Sequence, residues 1–230
     1  MPEMRKAYKG IAMEGAIATW YSKNTGKNPK RFLDVAQTLC ERIARPARVL
    51  EVAPGPGYLA VELAQRGYIV SALDISKSFV RIASENARAA GVEIDVRLGD
   101  AAAMPFPDGQ FDYVICMAAF KNFTHPLGAI DEMYRVLAPG GQASIYDLRK
   151  DAAPADIRAE VDGMQLSPLN AFLTRFTFKH MLLKSAYTTE AIEELAQKSR
   201  FGGGATSRRF GGATVSQSGI GFELRLRKPA

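Results

Sequence analysis

The chain predicts an α/β fold, a parallel sheet wound with helices on both faces. Short apolar strands alternate with helical patterns from Arg48 to Lys150, the arrangement that repeated strand–helix–strand units produce. The strand Val49–Val52 breaks at a glycine-rich turn that runs directly into the helical pattern Tyr58–Arg66. Apart from Asp112, Phe111–Met117 is one apolar run, as a central strand covered on both faces must be.

The elements follow in order. Residues 1–28 show weak periodicity, with a short helix over Met13–Tyr21 and turn chemistry at Asn24–Pro29. Phe32, Val35, Ala36, Leu39, Cys40 and Ile43 recur at helical spacing, one amphipathic helix ending near Arg45-Pro46. Arg48–Val52 is the first strand, and its following helix stops at Gly67. Tyr68–Leu73 is the second strand. Ser76 can cap a helix whose Phe79, Ile82, Ala83 and Ala87 stripe leads to Gly91. Val92–Leu98 is the third strand, Asp100–Gly109 a loop, and Phe111–Met117 the fourth strand. Leu127, Ile130, Tyr134 and Leu137 mark a helix closed by Pro139-Gly140-Gly141, and Gln142–Leu148 is a fifth strand. Beyond Lys150 the alternation changes: Ala155–Met164, Leu169–Leu183 and Thr189–Ser199 read as helices, and Gly219–Lys228 alternates as a strand with one solvated face. The near-repeat Ser199–Thr206 and Ser207–Thr214 reads as a flexible loop made by local duplication, with phosphate grip by its glycines and arginines as the alternative.

The chain of 230 residues is long enough for one domain with a sizeable core. It has no run of 18 apolar residues and no apolar segment near Met1 of the kind a secretory leader needs, so no membrane partner is expected and the cytoplasm is the default. Cys40 and Cys116 lie in apolar patterns and read as reduced thiols. Residues 1–48 hold ten Lys/Arg against four Asp/Glu, whereas residues 49–150 hold nine against twelve. The basic flanks permit nucleic-acid binding, but no basic cluster interleaved with aromatics supports it. Only His125 and His180 are available, and no metal-ligand cluster is visible.

Around the glycine turn the residues point to a nucleoside site. Gly55 and Gly57 remove the Cβ atoms that would keep a polar ligand from the main chain and a helix N-terminus. Asp74 closes the second strand 19 residues after Gly55, where a carboxylate can take both hydroxyls of a ribose. Glu51, an acid inside a strand, is costly to bury without partners and so suits a site. The same spacing also satisfies the fingerprint of a nicotinamide-dependent oxidoreductase.

Five motifs in order narrow this. They are Glu51–Gly57, Asp74, Gly99-Asp100-Ala101 with Met104–Asp108, Phe111–Ile115, and Arg135–Gly141. Together they resemble the class I S-adenosylmethionine-dependent methyltransferases, in particular the small-molecule, ubiquinone/menaquinone-biosynthesis-like branch. The resemblance implies a Rossmann-like doubly wound seven-stranded sheet whose last strand is antiparallel. It implies an N-terminal helical lid over 1–47 and a cofactor-binding domain over 48–230, with 150–200 on the substrate side. It implies that S-adenosylmethionine is held by Glu51, Ala53, Gly55, Gly57, Asp74, Ile75, Asp100, Ala101, Met117 and Ala118, with Tyr21 and Trp20 from the lid. Ala53 departs from the family, which usually has Gly there, and Pro54 and Pro56 stiffen the loop.

Methyl transfer needs alignment and dryness more than a base. Lys121, Asn122 and His125 follow the fourth strand at the carboxyl edge of the sheet and are the candidates to anchor or deprotonate an acceptor. A helix-capping or surface histidine is an equally good reading of His125. Met164, Phe172, Phe176, Phe178 and Met181 line an apolar acceptor pocket or belong to the core, with the core favoured. The expected function is methyl transfer to a small-molecule N, O or C nucleophile; a non-catalytic cofactor-binding protein stays open beside it, as does a homodimer.

Overall fold

The structure is a computed structural model that describes residues 8–9, 13–27, 29–164, 167–177, 182–202 and 212–230. Strands β1 (Arg48–Val52), β2 (Ile69–Asp74), β3 (Ile94–Leu98), β4 (Phe111–Met117), β5 (Leu137–Leu148), β6 (Ala213–Ser218) and β7 (Gly221–Arg227) form one seven-stranded sheet in the order β3-β2-β1-β4-β5-β7-β6. The strands from β1 to β5 pair in parallel, and β7 runs antiparallel to both of its neighbours. The strand order turns back between β1 and β4, so the loops leaving their carboxyl ends diverge and open a crevice where such sheets bind ligands.

Strand pleating sends alternate residues to opposite faces, and each face meets its own helices. On one side, α2 (Lys30–Arg42) and α3 (Tyr58–Gln65) bring Leu39, Leu59 and Leu63 onto Val49, Val70, Tyr113 and Ile115. On the other, α5 (Pro126–Val136) and α8 (Thr189–Lys198) bring Ile130, Met133 and Ile192 onto Leu50, Val52, Val114 and Cys116. Near the carboxyl ends of the strands, α4 (Lys77–Ala89) packs Phe79 and Ile82 against Ala18 of α1 (Gly15–Thr25). A separate small core joins Ile157 and Val161 of α6 (Pro154–Gly163) to Leu183 and Ile220, with Ala171 of α7 (Pro168–Thr177) against it.

Local chemistry explains the boundaries. Ser76 caps α4, its Oγ accepting from the Phe79 N–H at 3.1 Å, as its position suggested. Gly67 and Gly91 carry φ of +90° and +69°, the left-handed turns that stop α3 and α4. Two expectations change. Pro139–Gly141 is a bulge within β5, not a turn before it: Phe111 and Tyr113 of β4 pair with Leu137 and Gln142, and Gly140 sits at φ +77°. The sixth strand, Ala213–Ser218, is small and polar; pairing to β7 makes it a strand, not its own apolar content. Of the helix expected over Leu169–Leu183, the described part is helical as far as Thr177, residues 178–181 lie outside the described residues, and Leu183–Ser185 forms a 3-10 turn. Most of the near-repeat, residues 203–211, lies outside the described residues.

Candidate cofactor and acceptor site

The loop after β1 is built on three left-handed residues, Ala53, Gly55 and Gly57, the last at φ +77°. Ala53 at φ +56° donates its N–H to the Leu73 carbonyl at 2.8 Å, and Gly55 follows at φ +56°. A Cβ on Gly55 would meet only Tyr21 and Phe79, at 3.9 and 4.0 Å, so this glycine has open space before it, beside α1. Gly57 does a different job. A Cβ there would lie 2.9 Å from the Cβ of Ala83, so Gly57 lets the start of α3 close onto α4 and does not itself line the crevice.

Two buried carboxylates flank this loop. Asp74 accepts from the Gly55 N–H at 3.1 Å and from the Ser76 N–H at 2.9 Å, which ties the glycine loop to the end of β2. Burial pushes its pKa up to about 6 against these hydrogen bonds. Glu51 is 3% exposed, and its Oε2 accepts no hydrogen bond from the described residues. Burial pushes Glu51 up to about 8; a hydrogen bond from the Ala60 backbone works the other way, and the Asp74 charge adds to the rise. An acid kept in a strand without a partner for one oxygen is the costly arrangement that a ligand cation would relieve.

On the far side of the crevice, Ala118 after β4 takes φ +58° and donates to the Tyr146 carbonyl at 2.7 Å. Lys121 is buried here. Its Nζ donates to Asp147 Oδ1 at 2.8 Å and to the Ala118 carbonyl at 3.1 Å, and its N–H to Asp147 Oδ2 at 2.8 Å. The ammonium is thus engaged in holding the strained loop, and its charge is already matched. Asn122 lines the crevice and accepts on its carbonyl from the Lys9 N–H at 2.8 Å. His125 is exposed at the N-terminus of α5, outside the crevice lining, with Pro126 beginning the helix.

These loops enclose a single cavity of about 990 Å³. Of the residues named from the sequence, Trp20, Tyr21, Glu51, Ala53, Gly55, Asp74, Ile75, Asp100, Ala101, Met117, Ala118, Lys121 and Asn122 line it; Gly57 and His125 do not. Asp100 also shapes its own turn, accepting from the Ala102 N–H at 2.9 Å. Phe123, Leu148, Met164, Leu182 and Ile220 give part of the lining an apolar surface, beside Glu160 and Ser185. Phe172 and Phe176 belong neither to this pocket nor to the core: both are exposed. Phe178 and Met181 lie outside the described residues.

Three contributors escaped the sequence reading. Tyr8 lines the cavity, bridging to Phe123 across the post-β4 loop. Glu14 lines it too and accepts from the N–H groups of Lys77 and Ser78, at 2.9 and 3.0 Å, so that it caps α4 from the start of α1. Tyr8 lies outside any patterned stretch, and Glu14 at the edge of the weakly periodic Met13–Tyr21. Asp147, the partner of Lys121, had the same signal as Glu51, an acid inside an apolar strand.

Residues 50–145 match the family described as Methyltransferase domain. The demethylmenaquinone methyltransferase of Thermus thermophilus is 41% identical over 104 residues, 44% of this chain and 47% of that protein. The ubiquinone/menaquinone biosynthesis C-methyltransferase UbiE of Cupriavidus pinatubonensis is 33% identical over 135 residues, 57% of this chain and 56% of that one. The chain thus spans about half the length of the curated relatives it matches. Among solved structures, a provisionally assigned S-adenosyl-L-methionine-dependent methyltransferase from Methanococcus maripaludis superposes with a TM-score of 0.71 over 93% of both chains, at 20% identity. That likeness is one of fold.

Proposed function

We propose that this chain, which carries a class I S-adenosylmethionine-dependent methyltransferase domain, transfers the methyl group of that cofactor to a small apolar acceptor. The observation that carries the reading is Glu51, a buried carboxylate with an orphaned oxygen beside Asp74 and the open face of Gly55. The residues fit the cofactor. Glu51 answers its ammonium, Asp74 its ribose hydroxyls, and Asp100 the amino group of its adenine, while Ile75 and Met117 offer apolar contact to the rest. The apolar stretch of the lining supports an acceptor with apolar surface, and the buried Lys121 is already matched by Asp147.

S-adenosylmethionine supplies a methyl group on a sulfonium, already a good electrophile, so the protein's task is to align the acceptor and exclude water. Tyr8, Asn122 and Phe123 form the wall on the acceptor side, and Lys121 holds that wall through the Ala118 carbonyl. The names of the relatives support a reduced demethylmenaquinone as the first acceptor to try. Two free cysteines agree with a reducing, cytoplasmic setting.

The test is a thermal-shift comparison of S-adenosylmethionine, S-adenosylhomocysteine, NAD and NADP at about 100 times the dissociation constant. Binding to the folded state alone adds about 2.7 kcal/mol, a rise of roughly 5–10 °C for a chain of this length. Shifts with the two sulfur nucleosides only are expected, followed by label transfer from the methyl donor to reduced demethylmenaquinone. A shift with NAD only would assign the cavity to a nicotinamide.

A further inference from the structure

We propose that the outer face of α7, beside the cavity mouth, docks onto an anionic lipid bilayer. The helix is turned against the usual preference. It points its small residue, Ala171, at the core of Ile157, Val161, Leu183 and Ile220. Its large residues Phe172, Leu173 and Phe176 are 64%, 52% and 53% exposed. Large apolar side chains ordinarily supply the core, and a cluster of them on a surface marks an interaction site. Met164 and Leu182, also exposed, belong at once to this apolar surface and to the cavity lining, so the face and the mouth are continuous.

Charge selects the occupant. Residues 165–188 contain Arg175, Lys179 and Lys184 and no Asp or Glu. Lys9 brings an ammonium to the end of the same segment, its Nζ donating to the Tyr187 hydroxyl at 3.2 Å. Of the α6 acids, Asp156 is matched by Arg149 and Asp162 by Arg175, which leaves Glu160 at the rim. Aromatic residues flanked by lysines suit the boundary between headgroups and acyl chains. Among the described residues no helix is long and apolar enough to cross a membrane, and the contact proposed is with the bilayer surface. An acceptor dissolved in lipid would pass from this face into the cavity; only that consequence rests on the methyltransferase reading.

The experiment is co-sedimentation of the full chain with large unilamellar vesicles of phosphatidylcholine, with or without one third phosphatidylglycerol. Partitioning onto the anionic vesicles should exceed that onto the neutral ones by about tenfold or more, and fall in 0.5 M salt. Phe172→Ser with Phe176→Ser should lower it about tenfold while the shift with S-adenosylhomocysteine persists, which also reports that the variant folds. Lys184→Glu should lower it several-fold. Equal partitioning onto both vesicles, or partitioning that the double variant leaves unchanged, overturns the proposal. So does a solution dimer that Phe172→Ser dissociates, since a second copy would then cover the face. Loss of the nucleoside shift with vesicle binding intact would instead overturn the cofactor reading alone.

Discussion

The carboxyl of Glu51 carries a pH signature. Its folded pKa of about 8 lies above the ordinary glutamate value, so between roughly pH 4 and pH 8 the folded state holds a proton that the unfolded chain has lost. Stability of the free protein therefore falls as pH rises through that window and the penalty stays constant above it. Glu51→Gln should flatten the profile and make the free protein more stable at pH 9 by roughly 2–4 kcal/mol, read from urea midpoints. The same substitution should weaken S-adenosylmethionine binding, and calorimetry at pH 7 in two buffers of different ionisation enthalpy should find proton release in the parent and none in the variant. The residues after β4 divide as their surroundings dictate. Lys121→Met leaves Asp147 buried without its partner, at a cost of about 3–5 kcal/mol in a denaturant melt. His125→Ala, outside the lining, should change S-adenosylhomocysteine affinity less than twofold by calorimetry.

Among the elements, α1 is held over the cavity because the residues at its start are stitched to α4. Glu14 accepts from Lys77, from Ser78 and from the Ser78 hydroxyl, the Ser76 hydroxyl donates to the Met13 carbonyl at 2.6 Å, and the Gly15 N–H donates to Ser78 Oγ at 2.9 Å. The Ser78 hydroxyl above all holds the Glu14 carboxyl below its usual range, so its contribution is present above the unfolded pKa and lost as pH falls through the folded one. Exposure limits that contribution to about 1 kcal/mol or less. Glu14→Ala should thus barely move the melting temperature, yet raise proteolysis within residues 13–27 and weaken S-adenosylhomocysteine several-fold. The contrast shows what a sequence discloses. The glycine turn, Asp74 and the capping Ser76 were legible because backbone geometry demands particular residue types at fixed spacing. Glu14 was not, since the donors it satisfies lie 63 residues away and only the tertiary fold brings them together. For the same reason the close approach of Gly57 to Ala83 was not legible, and Ala213–Ser218 stayed hidden because its partner strand alone makes it one.

Across the whole molecule, the N-terminal helical segment and the antiparallel end of the sheet meet at one carboxylate. Glu223 of β7 takes Arg42 of α2, accepts from the Tyr146 hydroxyl at 2.6 Å and from Ser144 at 3.2 Å, and Ser144 in turn shares a 2.6 Å hydrogen bond with Tyr113 of β4. Four elements are thus clamped across the face that α2 covers. Burial pushes Glu223 up, but the hydrogen bonds from Arg42 and Tyr146 prevail and hold its pKa below the usual carboxylate range. A depressed pKa means that the clamp contributes fully above the unfolded glutamate value and loses its contribution as pH falls through the lower, folded one. Glu223→Ala leaves Arg42 and Tyr146 without their acceptor and should cost about 2–3 kcal/mol at pH 7, a fall in melting temperature of roughly 5–10 °C. Glu223→Gln, which keeps an acceptor for the tyrosine and loses only the charge, should cost less. Melts of both variants at pH 7 and near pH 3 test the mechanism, because the gap between Glu223→Gln and the parent must narrow in acid as the parent's carboxyl takes up its proton. A gap that stays constant with pH would mean that the clamp works by shape and packing, and that the charge of Glu223 contributes nothing to holding α2 against the sheet.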